Sequence, residues 1–264
     1  MTSPAAAPPP EPPGRGLLDG RRVVVTAAAG TGIGSAVARR CLLEGATVLI
    51  SDIHERRLAE TADALEAATG RRPATARCDV TVESDVAGLV EAAVAAMGGV
   101  DVMMNNAGLG GSVRLVDMSD EQWRAVLGVT LDGTMRCTRA ALRHMIERGI
   151  RGAIVNNASV VGWRAQAEQA HYAAAKAGVM ALTRCAAVEA AEFGIRVNCV
   201  APSLAMHPHL VKVTSEELLA ELTRREAFGR AAEPWEVANV MVFLASDLAS
   251  YMTGEVVSVS SQHP

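Results

Sequence analysis

Short runs of β-branched and other apolar residues alternate with longer amphipathic stretches from about residue 17 almost to the end of the chain. Short β-branched runs predict strands, whereas apolar residues at helical spacing over ten or more positions predict helices. The predicted strands cover 22–26, 47–51, 74–78, 101–105, 153–157, 196–200 and 256–259. The predicted helices follow the first strand up to residue 44 and cover 55–68, 83–97, 120–147, 169–193 and 234–245, and the polar segment 203–228 is also helical in pattern.

Regular alternation of strands and helices implies right-handed βαβ units and a parallel sheet with helices on both faces. The continuously apolar strands at 23–25 and 48–50 suit such a sheet, because both of their faces are covered. The chain has no repeat of fixed period and no internal linker. The expected fold class is therefore α/β, with a single doubly wound domain.

The first residues differ in composition from the rest of the chain. Six of the eleven prolines lie within residues 4–13, and such a segment cannot bury apolar surface. We expect a disordered, proline-rich tail over residues 1–16, without an assigned role, and a folded domain over 17–264.

Composition excludes several classes of partner. The 264 residues, half of them hydrophobic, can form a sizeable core, and the net charge of −4 with scattered arginines argues against nucleic acid. No apolar run reaches the roughly 18 residues of a membrane span, and no secretory signal is recognisable. The five cysteines form no CxxC and accompany no histidine cluster, so we expect free thiols, no metal site and a cytoplasmic location.

A glycine-rich turn joins the first strand to the first helix. Glycines there allow a tight turn and close approach to a pyrophosphate, and the helix N-terminus offers free N–H groups to that anion. The position after a strand and before a helix is the context that this motif requires. We assign to dinucleotide binding Gly30, Thr31, Gly32, Ile33 and Gly34.

Asp52 closes the second strand, eighteen residues after Gly34. A carboxylate there can accept hydrogen bonds from the adenosine ribose and would repel a 2′-phosphate, which favours NAD over NADP. Arg56 and Arg57 complicate this preference, because an arginine can accommodate the phosphate; their helical spacing suits a solvent-facing position. NAD is therefore the expected cofactor and NADP the alternative.

Two further strand ends are candidates for the nucleotide site. Asp79 and Val80 follow the third strand, where a short polar side chain can meet the adenine amine; the alternative for Asp79 is a helix N-cap. Residues 105–108, with the sequence NNAG, end the fourth strand, and their small side chains leave room for a ribose. The asparagine pair has an equally good structural interpretation, in which its amides join strand ends. We assign to the cofactor Asn106, Ala107 and Gly108.

Tyr172 and Lys176 are one of two tyrosines and one of two lysines in the chain. Their i, i+4 spacing in a predicted helix places them on one face. Phenols are weak acids, and a nearby cation stabilises the phenolate, so the pair is typical of a tyrosine general acid or base. The alternative is an accidental pair on an amphipathic face.

Ser159 follows the fifth strand, thirteen residues before Tyr172. Strand ends and the next helix starts share the carboxyl edge of a parallel sheet, where ligands bind, so its hydroxyl can bond the same substrate oxygen. A serine after a strand is otherwise a cap or turn residue.

Together, the glycine-rich turn, Asp52, the NNAG run, Ser159 and the YxxxK motif of Tyr172 and Lys176 resemble the short-chain dehydrogenase/reductase family. The resemblance covers about residues 18–260 and includes further motifs at 196–202, 229–237, 243–247 and 251–254. It implies a Rossmann-type domain with a seven-stranded parallel sheet. It also implies a homo-oligomer, a dimer or tetramer, assembled through the helices at about 120–147 and 169–193.

The resemblance also implies a reaction, in which a hydride passes between the nicotinamide C4 and the carbon of a secondary alcohol or ketone. Tyr172 would exchange the proton, Ser159 would orient the substrate oxygen, and Lys176 would bond the nicotinamide ribose and assist Tyr172. Pro202, in the 196–202 motif, joins the cofactor-binding set.

The chain departs from the family pattern at several places. Ala27 stands where a glycine is usual, with one extra residue before Gly32, and Thr130 stands where a helix asparagine completes a catalytic tetrad and holds a relay water. Ser203 replaces a glycine, and His207 falls where a threonine meets the nicotinamide amide. We assign Thr130 to the catalytic set on its position alone.

The substrate is a small molecule that the sequence describes only coarsely. The variable flap at 203–228 carries both apolar and polar residues, among them Met206, His207, His209, Leu210 and Val211, and residues 163–166 form the opposite wall. Such a pocket suits a medium or large secondary alcohol or ketone, and the pattern resembles actinobacterial ketoreductases for CoA-linked or steroid-derived ketones. The alternatives are a non-catalytic dinucleotide-binding scaffold or redox sensor and, on the same fold, a dehydratase or epimerase.

Overall fold

The computed structural model describes residues 7–206 and 216–261. Seven strands form one parallel sheet in the order β3-β2-β1-β4-β5-β6-β7. They are β1 Arg22–Val25, β2 Thr47–Asp52, β3 Ala74–Arg77, β4 Val102–Asn105, β5 Ala153–Asn157, β6 Arg196–Pro202 and β7 Val256–Val259. Their order reverses between β1 and β4, and ligands bind at the carboxyl ends of the strands beside such a switch point.

The described helices are α1 Ile33–Leu43, α2 Glu55–Thr69, α3 Glu83–Met97, α4 Asp120–Leu127, α5 Gly133–Glu147, α6 Ala170–Ala190, α7 Glu216–Arg225 and α8 Pro234–Ala245. They cover both faces of the sheet. Successive strand residues point to opposite sides, so an apolar strand leaves apolar side chains to be covered on each face. Val23 and Val25 belong to one core with α1, α2 and α8, whereas Val24 belongs to a second core with α3, α5 and α6. The predicted α/β doubly wound domain is confirmed.

The helix predicted over 120–147 is interrupted. A π-helical turn, Gly128–Asp132, separates α4 from α5, and its centre, Thr130, is fully buried. The apolar periodicity continues through this turn, so it was not predictable from the pattern; π turns are frequent at functional sites.

The flap predicted as helical over 203–228 has a more varied structure. Residues 203–206 are not helical, and Ala205 forms an isolated bridge with Ala232. Among the described residues of this segment, the helix α7 covers Glu216–Arg225. The expectations for His207, His209, Leu210 and Val211 lie outside the described residues.

The chain packs against α1 before the predicted domain start at residue 17. Glu44, fully buried at the end of α1, accepts hydrogen bonds from the backbone N–H groups of Arg15 and Leu17 at 2.8 and 2.9 Å. A side chain on Gly14 would come within 2.0 Å of the Leu43 carbonyl oxygen, so only glycine fits there. Glu11 forms an ion pair with Arg39, so these contacts begin at Glu11, within the segment predicted as tail.

Candidate active site

The glycine-rich loop between β1 and α1 has the shape of an anion cradle. Gly30 is exposed with φ +98°, and a Cβ on it would meet nothing within 4 Å. A Cβ on Gly34 would lie 2.4 Å from the Ala27 carbonyl oxygen, so this glycine lets α1 start close to the strand ends. Gly32 precedes α1 without a side-chain cap, which leaves the first helical N–H groups for an anion. These features fit a dinucleotide pyrophosphate.

Ala27, the departure from the family glycine, retains a glycine-like backbone. Its φ is +49°, in the left-handed region that costs an L-residue roughly 1–2 kcal/mol. The alanine thus adopts at an energetic cost a conformation that favours glycine.

Asp52 lies at the end of β2 beside this loop and is 8% exposed. Its carboxylate accepts hydrogen bonds from the N–H groups of Ala29 at 3.2 Å and His54 at 3.1 Å, while an Arg57 nitrogen lies 3.9 Å away. Arg56 is turned to solvent and pairs with Glu60. The carboxylate is thus oriented by the backbone, and Arg57 is the cation beside it.

Asp79 and Val80 are engaged within the fold. Asp79 accepts hydrogen bonds from the Thr81 hydroxyl at 2.7 Å and the Thr81 N–H at 2.9 Å, and these bonds hold the pKa of its carboxyl below the ordinary value. It closes a turn before α3 and is not the N-cap, a position that Val82 occupies. The Val80 side chain is buried, and a Cβ on Gly133 would come within 2.6 Å of it.

The NNAG run joins strand ends through its amides. Asn105 donates to the Asn156 side chain at 2.8 Å, Asn106 donates to the Ala27 carbonyl at 3.0 Å, and Asn157 donates to the Asn106 side chain at 3.0 Å. The structural interpretation of the asparagine pair is confirmed. Gly108 faces the cleft, with a Cβ position 3.4 Å from the Lys176 nitrogen.

Tyr172 and Lys176 lie together in the first turns of α6. The Lys176 nitrogen is 5.4 Å from the centre of the Tyr172 ring. Lys176 is only 2% exposed, and its nitrogen donates to the Asn157 carbonyl oxygen at 2.5 Å. Sequence reasoning missed Asn157, although its position as the last residue of β5 places it at the functional edge of the sheet.

Ser159 is fixed against the same helix. Its hydroxyl accepts the Val161 N–H at 3.3 Å and lies 3.5 Å from the Pro202 carbonyl oxygen, to which it donates. The turn after Ser159 packs tightly on α6, because a Cβ on Gly162 would lie 3.0 Å from the Ala177 nitrogen. The ends of β5 and β6 and the start of α6 therefore hold Ser159, Pro202, Tyr172 and Lys176 at one edge of the sheet.

The Thr130 hydroxyl forms two hydrogen bonds with the backbone of Leu109. It accepts the Leu109 N–H at 3.0 Å and donates to the Leu109 carbonyl at 3.1 Å. Thr130 thus fixes the loop that follows β4, directly after Gly108.

Within residues 7–206 and 216–261, no cluster of histidine, cysteine and acidic residues could hold a metal ion, and all five cysteines are free thiols. In the same part of the chain, no helix is both long and apolar enough to cross a membrane.

The fold and the site are those of a nicotinamide-dependent oxidoreductase, and comparison with known proteins agrees with this class. A family model described as "Enoyl-(Acyl carrier protein) reductase" matches residues 27–261. A crystal structure of a short chain dehydrogenase from Mycobacterium smegmatis superposes with a TM-score of 0.85, at 59% sequence identity over 97% of this chain and 98% of that one. The chain belongs to the short-chain dehydrogenase/reductase family.

Two curated relatives act on defined substrates. A (5R,7aS)-5-hydroxy-7a-methyl-1-oxo-2,3,5,6,7,7a-hexahydro-1H-indene-carboxyl-CoA reductase of Mycobacterium tuberculosis is 61% identical over 97% of this chain and 98% of its own length. A cis-4-hydroxycyclohexanecarboxylate dehydrogenase of Sinomonas cyclohexanicum is 44% identical over 90% of this chain and 94% of its own. This chain is an oxidoreductase that transfers a hydride between a nicotinamide cofactor and a secondary alcohol or ketone.

Proposed function

We propose that this enzyme interconverts a ring ketone and the corresponding secondary alcohol on a carbocyclic acid that is carried as a coenzyme A thioester. The observation that carries the catalytic part is the Tyr172–Lys176 pair, with the buried ammonium anchored 2.5 Å from the Asn157 carbonyl. The substrate class is supported by the relative at 61% identity, whose name specifies a fused-ring CoA thioester, and by the relative that acts on a hydroxycyclohexane acid.

In this proposal, Tyr172, Ser159 and Lys176 have different tasks. Tyr172 gives its proton to the substrate oxygen in reduction and takes it back in oxidation. Ser159 donates a hydrogen bond to that oxygen, which requires its hydroxyl to turn from the Pro202 carbonyl. Lys176 stabilises the phenolate and binds the ribose next to the nicotinamide, which supplies or accepts the hydride when bound.

We assign Thr130 a positioning role in place of the catalytic one that its sequence position suggests. Its hydroxyl donates to and accepts from the same residue, Leu109, so its single proton is already committed. In this arrangement the hydroxyl has no proton left to pass to a relay water.

We propose NAD(H) as the cofactor. Binding would involve the loop residues from Gly30 to Gly34, the carboxylate of Asp52, the turn at Asp79 and Val80, the strand end at 106–108, and Pro202 with Tyr172 and Lys176. Asp52 supports NAD because its carboxylate is held in place by two backbone N–H groups and is only 8% exposed. A 2′-phosphate beside it would meet a fixed negative charge.

The substrate proposal is tested with a matched panel of ketones. Each ring ketone would be offered as the CoA thioester and as the free acid, with a straight-chain 3-oxoacyl-CoA as the third member, and NADH oxidation followed by absorbance. We expect kcat/KM for the carbocyclic thioester to exceed that for the free acid by at least tenfold, about 1.4 kcal/mol of transition-state binding. Equal values for the thioester and the free acid would remove coenzyme A from the proposal.

We also propose that the enzyme forms a dimer or tetramer in the cytoplasm. The strongly exposed apolar side chains of Val116 and Val188, at 80% and 79%, are candidates for burial between copies. Light scattering coupled to size exclusion would show a mass of two or four chains, and a 27.5 kDa particle would contradict this assembly.

A further inference from the structure

The loop 110–113, called here the glycine wall, is joined to the start of α6 residue by residue. The Val113 N–H donates to the Glu168 carbonyl at 3.0 Å, and the Ser112 hydroxyl donates to the Glu168 carboxylate at 2.5 Å. The Gln169 side chain donates to the Gly111 carbonyl at 2.7 Å. A Cβ on Gly110 would lie 3.9 Å from the Tyr172 ring, so the wall borders the catalytic phenol.

His171 lies under this wall and is 2% exposed. Its Nδ1 accepts the N–H of Tyr172 at 2.9 Å. That N–H belongs to the first turn of α6, where backbone donors lack a helical partner and need another acceptor. Gln169, the N-cap, makes no side-chain cap, because its amide is directed to Gly111. The His171 side chain therefore satisfies a first-turn N–H group, as an N-cap side chain usually does, although His171 is itself a helical residue.

The other side of the imidazole ring meets the wall. A Cβ on Gly111 would lie 3.3 Å from Nε2 of His171, so even a methyl group at this position of the wall would press on the ring. Burial lowers the pKa of His171, against a hydrogen bond with the Gln169 backbone that raises it. The lowered pKa favours the neutral imidazole, the form in which Nδ1 can accept a hydrogen bond.

We propose that His171 is a positioning residue. Its Nδ1 holds the backbone of Tyr172 in place, and its Nε2 edge limits how closely the glycine wall can approach the start of α6. The two sides of the ring have separate effects. The Nδ1 bond affects proton transfer through the position of Tyr172, and Nε2 affects the space left for the substrate through the position of the wall. This proposal rests on the proposed function only for its kinetic consequences. The contacts themselves are independent of the substrate.

Three substitutions separate the two ends of the ring. His171→Leu removes both; His171→Asn restores an acceptor near the Nδ1 position but not the reach to Gly111; His171→Gln restores the reach but not the near acceptor. We expect kcat to fall by ~10- to 100-fold in the leucine and glutamine variants, as for displaced catalytic groups. In the asparagine variant we expect kcat near the wild-type value and a raised KM. NADH affinity should be unchanged in all three.

A glycine pair tests the wall separately. Gly111→Ala pushes on the imidazole and should change KM for bulky ketones more than for small ones. Gly88→Ala in α3, where a Cβ meets nothing within 4 Å, is the matched control and should leave both constants unchanged. Equal behaviour of the two variants would contradict the role of the wall.

Amide hydrogen exchange tests the proposal without any substrate. We expect faster exchange in peptides covering 109–113 and the Tyr172 amide in His171→Leu, with α1 unchanged as the internal reference. The positioning role would be overturned if exchange in these peptides stayed at the wild-type rate. It would also be overturned if all three His171 variants lost the same activity together with the same fall in thermal midpoint. Absence of ketone turnover in the wild type would refute the proposed function, while the exchange experiment would still decide this one.

Discussion

The Lys176 ammonium nitrogen lies 2.5 Å from the Asn157 carbonyl oxygen, at the end of β5, while Lys176 is 2% exposed. A buried ammonium is costly unless it is compensated, and among the described residues no carboxylate forms an ion pair with it. The carbonyl uses one of its three N–H groups. The other two are available to the phenol side of the cleft, 5.4 Å from the Tyr172 ring centre, and to a bound ribose. A buried charge that is only partly compensated by its neighbours is typical of a functional group.

Replacing Tyr172 by phenylalanine removes the proton donor but retains the ring beside the ammonium. We expect NADH binding within about twofold of wild type and a loss of turnover of ~10²–10⁴-fold, the usual contribution of general acid–base catalysis. Fluorescence titration and ketone reduction measure the two quantities. Tyr251→Phe is the matched control, because the other tyrosine is fully exposed. Turnover that survives in Tyr172→Phe would refute both the role of Tyr172 and the reaction proposed for it.

Thr130 distinguishes positioning from a direct catalytic role. In Thr130→Val, the backbone N–H and carbonyl of Leu109 both lose their hydrogen bond to the buried hydroxyl; because Leu109 itself is 41% exposed and water can reach it, we expect a cost of about 0.5–1.5 kcal/mol. We expect lower stability and a fall in kcat/KM of ~10-fold as the loop after Gly108 shifts. Thr130→Ser keeps the hydroxyl and should retain most activity. A valine variant with normal stability but a much lower kcat would instead indicate a proton relay through this hydroxyl.

The charge of Asp52 is expected to set the cofactor preference. Asp52→Asn keeps the acceptor for Ala29 and removes the negative charge, so NADPH affinity should rise by at least tenfold relative to NADH. Arg57, 3.9 Å from the carboxylate, would then be free to meet a 2′-phosphate. Arg57→Ala in the same background should abolish the gain. A wild-type enzyme that already binds NADPH more tightly would contradict the assignment of NAD.

Much of the fold was predictable because strand and helix periods are local properties of the sequence. The seven predicted strands are all present, two with the predicted bounds and five with one end shifted by one or two residues. Tyr172 and Lys176 share a helix face as their spacing requires. The contacts between distant segments were not predictable in this way. The π turn at Thr130 does not change the apolar pattern, and the hydrogen bond between Thr130 and Leu109 joins a helical residue to a loop 21 positions away in the sequence.

The same limit explains Asn157 and His171. The amide of Asn157 was recognisable as a strand-end group, but its role toward Lys176 uses the backbone carbonyl, which every residue has. His171 stands next to Tyr172 in the sequence, where helical geometry turns successive side chains apart. Its function depends on the glycine wall, which only tertiary structure brings there. In the N-terminal segment, proline content predicted disorder, whereas the buried Glu44 binds residues 15 and 17.

A second buried histidine makes stability depend on pH. The His144 ring accepts the Val100 N–H at Nε2, at 3.1 Å, and is 8% exposed. Burial lowers its pKa, with help from Arg148 and Arg22 and against Glu147 and Asp101. A pKa that is lower in the folded than in the unfolded state means that the neutral form stabilises the fold. That stability is complete above the unfolded value of about 6.5 and is lost as the pH falls through the folded value.

We therefore expect the free energy of unfolding to fall as the pH decreases from 7.5 towards 5, measured by urea unfolding at fixed ionic strength. His144→Gln can still accept the Val100 N–H but cannot be protonated, so it should reduce the slope in this range. The slope should not vanish, because burial also lowers the pKa of His171. His144→Leu leaves the Val100 N–H unpaired and should lose about 1–3 kcal/mol at pH 7.5. An identical slope in wild type and His144→Gln would show that protonation of other groups, carboxylates included, controls the acid side of stability.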